Sequence, residues 1–407
     1  MSEPKNELYL VVPELVEQPT WGGAYIAQFK GIDGDPLLCD QRLGQSYELS
    51  GTSRLMPVSS CNTLLDRAGY ERTITLPKLY HVQGVASTDR IAELSMADLI
   101  AREGERFLGR MVYERYGAVM PLLIKFTQAL GNSFQLHVKE EAEEEDGWLA
   151  KPESWYFLEP GLVTLGIRPG ADVEEYHRVC EAIEELMQEL SDQIRSGAVS
   201  LEAGRERATA AVQELDPWQF VNRFPVQSGT VIDPSAGGIH HSWEEDSEIC
   251  PLGNIVYEVQ LDRPDERSTM RSFDKGKIRD DGTIRAVQVT DYFTHLDSSP
   301  AANDLSILVR EPERVPSSTG QADLLFATRQ YACRRIRLSA ADSMHRDETA
   351  DSFHHLFVSQ GEVEVSCNGI AYVLGQGQAV IIPANFGVYF LGAVAGCEAE
   401  VLETRVE

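Results

Sequence analysis

Pro121–Glu141 reads PLLIKFTQALGNSFQLHVKEE, and KPESWYFLEP (Lys151–Pro160) follows shortly after it. The first stretch opens as an apolar run and closes on Gln135-x-His137. On a β-strand, residues i and i+2 point to the same face, so both donor-bearing side chains look into one cavity. The acid-rich segment Glu140–Asp146 reads as a polar turn. A second β-like segment then carries Glu153 beside Trp155, Tyr156 and Phe157. Strand, turn and strand bring a carboxylate up against the Gln/His pair. A fourth donor is expected from Gly237-Gly238-Ile239-His240. One amide oxygen, two imidazoles and one carboxylate form a mixed N/O set suited to Zn2+ or a similar divalent metal ion. Gln-x-His alone is an ordinary strand pair; the combination is what points to metal.

The flanking sequence is mainly β in pattern. Leu8–Pro13 alternates weakly, Trp21-Gly22-Gly23 reads as a turn permitting close backbone approach, and Ser46–Ser50 is a short strand with Glu48 and Ser50 facing cavity or solvent. Ser95–Gly109 has a Ser start and helical spacing, and is expected to be a surface helix. Asp172-Val173-Glu174-Glu175 resembles a capping box. Val173, Tyr176, Cys180, Ile183, Met187, Leu190 and Ile194 then fall in steps of three and four, one helical stripe. Ser200–Leu215 reads as a second helix. Strands return at Val226–Ile232 and Ile255–Leu261, the latter with Tyr257 and Val259 on one face and Glu258 and Gln260 on the other. Ser298–Gly320 reads as a linker, and Ala322–Glu407 as a separate small β domain. His345, His354 and His355 invite a second metal site, but no suitably placed carboxylate partner is evident beside them.

At 407 residues the chain is long enough for two or three subdomains around a sizeable core, and its 43% hydrophobic and 25% charged content is ordinary for a globular protein. A formal net charge of −28 argues against a general nucleic-acid or anionic-membrane surface. A phosphorylated substrate therefore needs a local basic pocket. Seven scattered cysteines with no C-x-x-C read as reduced thiols in a cytoplasmic protein. No stretch approaches the apolar length of a membrane-spanning helix.

Several short motifs keep a common order. They are Trp21-Gly22-Gly23, Gly44-Gln45-Ser46-Tyr47-Glu48-Leu49-Ser50, Pro121–Phe126, Gln135-Leu136-His137 and Lys151-Pro152-Glu153-Ser154-Trp155-Tyr156. Gly237–His240, Glu258-Val259-Gln260 and Thr269–Asp274 complete the series. In order and approximate spacing the series resembles class I mannose-6-phosphate isomerases. The resemblance implies a bicupin, two double-stranded β-helix (jelly-roll) barrels with an α-helical insert. Residues 1–168 and 221–297 would form the catalytic cupin domain and 169–220 the insert. Residues 298–320 would be the linker and 321–407 a C-terminal, non-catalytic cupin domain. It also implies reversible conversion of mannose 6-phosphate to fructose 6-phosphate through an enediol(ate), with Zn2+ held by Gln135, His137, Glu153 and His240. In the family a similar Ser-Gly turn precedes the metal histidine by the eleven residues that separate Gly229 from His240. His240 is therefore the expected ligand and His241 the reserve. Arg271 stands at the place of the family's catalytic arginine, and Lys125 and Lys151 are candidates for hydroxyl or phosphate contacts.

The chain departs from the family at Val138 (Pro in the family), Gln45 (Glu), Tyr47 (Trp) and Lys277 (often Arg), and its loop Arg263–Arg267 is longer. None of these removes a proposed ligand, but they fall where a sugar is read. The alternatives are a metal-binding cupin acting on a different sugar phosphate or in iron-dependent oxygenation, and a non-catalytic sugar-binding or regulatory cupin. Monomer and homodimer are both compatible with the sequence.

Overall fold

The structure is a computed structural model and describes residues 7–61, 73–85, 93–140, 147–234, 238, 240–319, 321–339, 344–367, 369–394 and 398–407. Most of the acid-rich turn (141–146), and Gly237 and Ile239 before the expected metal histidine, lie outside the described residues.

Four sheets dominate, and alternation along their strands decides how they stack. In Asn254–Leu261 every residue is buried. Ile255, Tyr257, Val259 and Leu261 enter one core with Ile124, Phe126, Phe357 and Leu402. Val256 turns to another core with Trp155, Phe157, Val163 and Trp243. Leu122–Ala129 is likewise buried along its whole length, and the two strands set Lys125, Thr127, Glu258 and Gln260 on the face opposite Ile124, Phe126, Tyr257 and Val259. Both belong to an eight-stranded sheet with Glu153–Phe157 and Leu43–Leu49. Facing it is a five-stranded sheet ordered Val221–Val226, Gly161–Ile167, His240–Trp243, Phe134–Leu136, Met270–Phe273. The second core fills the space between these two sheets, and the polar ends of their strands surround a cavity.

The helical segment forms as its pattern requires. Val173–Arg195 is capped by Asp172, whose side chain accepts from the Glu175 backbone N–H, and Leu201–Leu215 by Ser200 in the same way with Ala203. The buried stripe of Tyr176, Cys180, Ile183, Met187 and Leu190 packs with Phe134, Leu136, Met270 and Phe273 on the outer face of the five-stranded sheet. Met96–Glu103 starts at a Ser95 cap, as expected, but the single surface helix read over Ser95–Gly109 breaks at Gly104 (φ 49°) into Met96–Glu103 and Glu105–Leu108, with Leu99, Ile100, Phe107 and Leu108 buried.

The other half of the chain does not separate cleanly from the first. A nine-stranded sheet contains His354–Gln360, Ala379–Ile382 and Glu398–Val406, yet Tyr9–Val12 pairs with its Ala379–Ile382 strand, and Arg54–Pro57 continues the sheet. Thr73–Thr75 joins a further five-stranded sheet beside Ile370–Gly375. The expected linker is also structured. Val309–Arg310 pairs with Val231–Ile232 in the eight-stranded sheet, and Glu313–Val315 with Ala322–Ala327 in the nine-stranded one. Backbone pairing, rather than a free tether, stitches the two halves together. Between them lies a buried ion pair, Lys30 Nζ to Glu48 Oε1 at 2.7 Å, with the Lys30 ammonium also donating to the Gly377 carbonyl. Glu48 thus turns away from both cavity and solvent. Among the described residues no helix is long and apolar enough to cross a membrane.

Candidate metal centre

Cross-strand register places the polar residues. Phe134–Leu136 lies between His240–Trp243 and Met270–Phe273, with Gln135 directly opposite His241 on one side and Arg271 on the other. Opposed residues share a face, so Gln135, His241 and Arg271 point one way and His137 joins them by alternation. From the facing sheet, Glu153 is opposite Gln260, Trp155 opposite Glu258, and Glu258 opposite Lys125. Donors from the two sheets thus converge on a cavity of about 390 Å³, lined by Gln135, Glu153, Lys125, Lys151, Glu258 and Arg271 among others.

One ligand atom each from His137, Glu153 and His241 lies within 4.8 Å of the others, and all three residues are buried. This corrects the expected donor set. His241, not His240, joins His137 and Glu153. His240 pairs with Leu136 and so faces the helical layer. There its ring lies edge-on to Phe134 at 4.5 Å, and its Nδ1 meets the hydroxyls of Tyr292 and Tyr176. Neighbouring strand residues face opposite sides, so a one-residue difference in register exchanges the two histidines.

The trio suits a divalent ion. His137 Nδ1 lies 2.6 Å from the Ser268 carbonyl and donates to it, which fixes the ring's orientation and turns Nε2 towards Glu153 Oε2, 3.1 Å away. The Trp155 indole N–H donates to the other Glu153 oxygen. Burial alone would raise the Glu153 pKa, but His137 and the Lys151 charge hold it well below the usual carboxylate range, which keeps its carboxylate anionic. His241 lies between His137 and Trp155, with ring centroids 5.0 and 5.2 Å away. Gln135 lines the same cavity, its amide N–H donating to Ser133 at 3.3 Å.

The three expected basic residues are all brought to this cavity. Lys125 pairs with Glu258 at 3.1 Å; burial would lower its pKa, but the Glu258 charge raises it. Lys151 is 3.4 Å from the Thr269 hydroxyl and 3.9 Å from Asp265, and burial followed by the Lys125 charge lowers its pKa. Arg271 is held by Asp265 at 2.5 Å and donates to the Thr269 carbonyl at 3.3 Å. Asp265 sits in the short helix Asp265–Ser268, inside the loop whose extra length marks this sequence. Burial would raise its carboxyl, yet Lys151 and Arg271 push it well below its ordinary value. Asp265 was not singled out from sequence; Glu258 is signalled there by the Glu258-Val259-Gln260 motif and as an acid on the polar face of its strand, without an assigned role. Gln45 and Tyr47, two departures from the family pattern, also line the cavity.

No family model matches the chain, and no curated protein matches it in sequence. Solved structures match in fold. The mannose 6-phosphate isomerase of Salmonella typhimurium, bound to fructose 6-phosphate and zinc, superposes with a TM-score of 0.64 at 14% identity over 98% of this chain and 99% of that one. The Bacillus subtilis mannose 6-phosphate isomerase gives 0.61 at 14% over 98% and 99%. A putative mannosephosphate isomerase from Archaeoglobus fulgidus gives 0.62 at 15% over the full length of both chains. The chain shares the fold of these proteins end to end.

Proposed function

We propose that this protein is a divalent-metal-dependent aldose–ketose isomerase interconverting mannose 6-phosphate and fructose 6-phosphate, built as two cupin halves with a helical insert covering the catalytic one. The observation that carries the reading is the cluster of His137, Glu153 and His241, whose Glu153 lines one cavity together with Lys125, Lys151 and Arg271. Its setting is a fold shared along its whole length with a zinc-bound isomerase that holds fructose 6-phosphate.

His137, Glu153 and His241, with Gln135 beside them, would hold Zn2+. When bound, the ion supplies positive charge next to the sugar oxygens that become anionic as a proton moves between C1 and C2. Arg271 adds a fixed guanidinium on the same face, oriented by Asp265 and the Thr269 carbonyl, where it stabilises developing charge without reorganising. Lys125 and Lys151 offer ammonium groups to hydroxyl or phosphate oxygens. With Arg263, Arg271 and Arg285 they give the cavity five basic side chains against the four acidic ones Glu153, Glu258, Asp262 and Asp265, a local counterweight to the acidic balance of the chain as a whole. Gln45 and Tyr47 line the same cavity, which supports a part for them in reading the sugar.

The test is a coupled assay of fructose 6-phosphate formed from mannose 6-phosphate, with and without chelator, alongside other aldose 6-phosphates. Turnover abolished by chelator and restored by Zn2+ is expected. Absence of turnover by folded, zinc-loaded protein removes the mannose assignment, and turnover indifferent to metal removes the mechanism.

A further inference from the structure

The far end of the other half holds a second polar cluster. Arg334 stands directly opposite Glu403 and Leu356 opposite the same Glu403, which places Arg334, His354 and Glu403 on one face with Ile336, Leu356, Val358 and Val401. Those apolar residues fill the core of this half together with Leu391 and Tyr389 of the facing sheet. His345 and Asp347 oppose Leu391 and Tyr389, so they look into the same interior. Asp347, His354 and Glu403 offer one ligand atom each within 4.8 Å of one another. The carboxylates that sequence did not reveal beside His345 and His354 arrive from two strands.

The cluster is incompletely satisfied. His345 Nδ1 meets the Ser318 hydroxyl at 3.3 Å, while its Nε2, 3.7 Å from Asp347 Oδ2, is buried with no hydrogen-bond partner. Glu403 Oε1 is likewise buried without a partner, 3.9 Å from His354 Nδ1. His345 and Glu403 are 2% and 1% exposed, and buried polar atoms in native proteins are rarely left this way. Arg334 spans Asp347 and Glu403 at 2.5 Å each, but one guanidinium cannot balance two carboxylates.

We infer that Asp347, His354 and Glu403, backed by His345, form a second divalent-metal site at the end of the C-terminal half. One imidazole nitrogen and two carboxylates, with a further imidazole adjacent, suit Mn2+, Fe2+, Co2+ or Zn2+. Arg334 is the competing cation, with a side chain 17% exposed that reaches the cluster as its monovalent occupant. The ion replaces it between the two carboxylates. Tyr389, whose hydroxyl is 2.8 Å from His354 Nδ1, orients that ring.

The test counts ions on the full chain. Wild type and the His137→Ala/His241→Ala variant are equilibrated with Mn2+, Co2+ or Zn2+, freed of unbound ion and assayed by mass spectrometry of the metals. The variant, which lacks two donors of the first centre, is expected to keep about one ion per chain, lost on further Glu403→Gln or Asp347→Asn substitution. Arg334→Gln in the same background removes the competing charge and tightens binding about tenfold or more. A folded His137→Ala/His241→Ala chain that retains none of the three metals, or an ion indifferent to both Glu403→Gln and Asp347→Asn, overturns the inference. Isomerase activity is read separately on wild type, so failure of the catalytic reading and of this one are distinguishable.

Discussion

His241→Ala and His240→Leu change neighbouring residues of one strand and are expected to have opposite consequences. His241 faces the cavity, with His137 and Trp155 beside its ring. Its removal deletes one of three converging ligands. Loss of outer-shell partners alone costs about 10–100-fold in metal affinity, so losing a direct donor is expected to raise the zinc Kd by more than about 100-fold, or about 2.7 kcal/mol. Metal-free stability should also fall, since the buried ring's contacts with His137 and Trp155 go with it, so it is zinc affinity that separates the two variants. His240→Leu leaves every donor in place but strips partners from the Tyr292 and Tyr176 hydroxyls and breaks the edge contact with Phe134. An orphaned buried hydroxyl costs about 1–3 kcal/mol and a lost aromatic pair about 0.5–1.5 kcal/mol. Together these predict about 2–4 kcal/mol of destabilisation with zinc affinity retained. Zinc titration against a competing chelator reads the first quantity, and urea unfolding of metal-free protein the second. Loss of zinc affinity in His240→Leu with retention in His241→Ala would mean that the strand His240–Trp243 pairs one residue out of the register described here, and the metal centre would have to be rebuilt around His240.

Three further outcomes follow from the same geometry. Lys30→Met leaves Glu48 buried and unpaired and is expected to cost about 3–5 kcal/mol, most of it regained in Lys30→Met/Glu48→Leu; equal urea midpoints for single and double variants would show that the ion pair is not the cause. His355 is held down at about 3, chiefly by burial, with Lys30, Glu48 and Tyr257 around it. Its depressed pKa means that only the unfolded chain takes up this proton between pH 6.5 and 3. Stability is thus lost on acidification, by about 2 kcal/mol from pH 7 to pH 5. His355→Leu should flatten that share of the pH dependence, and an unchanged slope refutes it. Arg271→Lys keeps the charge but not the fork that joins Asp265 to the Thr269 carbonyl. It is expected to lower kcat for mannose 6-phosphate about 10²–10³-fold, with a KM change alone counting against a role in charge stabilisation.

Local chemistry made much of the architecture legible. Asp172 and Ser200 cap their helices because a short side-chain oxygen reaches the orphan N–H groups of a first turn, wherever that turn is packed. The alternation in Ile255–Leu261 assigns Tyr257 and Val259 to one core and Glu258 and Gln260 to the cavity side, as packing bears out for Tyr257 and Val259. Gln135, His137 and Glu153 were readable as neighbours for the same reason: i+2 spacing on strands joined by a turn. The adjacent pair His240-His241 was not, since both residues are histidine and only the partner strand says which is turned inward. Leu136 opposite His240 and Gln135 opposite His241 settle it.

What the sequence by itself determined was therefore whatever depends on spacing within a segment: helix ends, strand faces, the Gln-x-His and Lys-x-Glu groupings, and an acidic chain with a few basic residues gathered near them. Tertiary structure alone decided which segments meet. Tyr9–Val12 is too short and too uniformly apolar to name its partner, and it pairs with Ile381 and Val380 near the other end of the chain. Asp347 and Glu403 look like ordinary strand acids until two strands carry them to His354. Asp265 becomes the anchor of Arg271 only because a short helix turns it back over the cavity. A period of two fixes the face a side chain occupies, but the opposing residue comes from a pairing whose register is set by burial across the whole sheet.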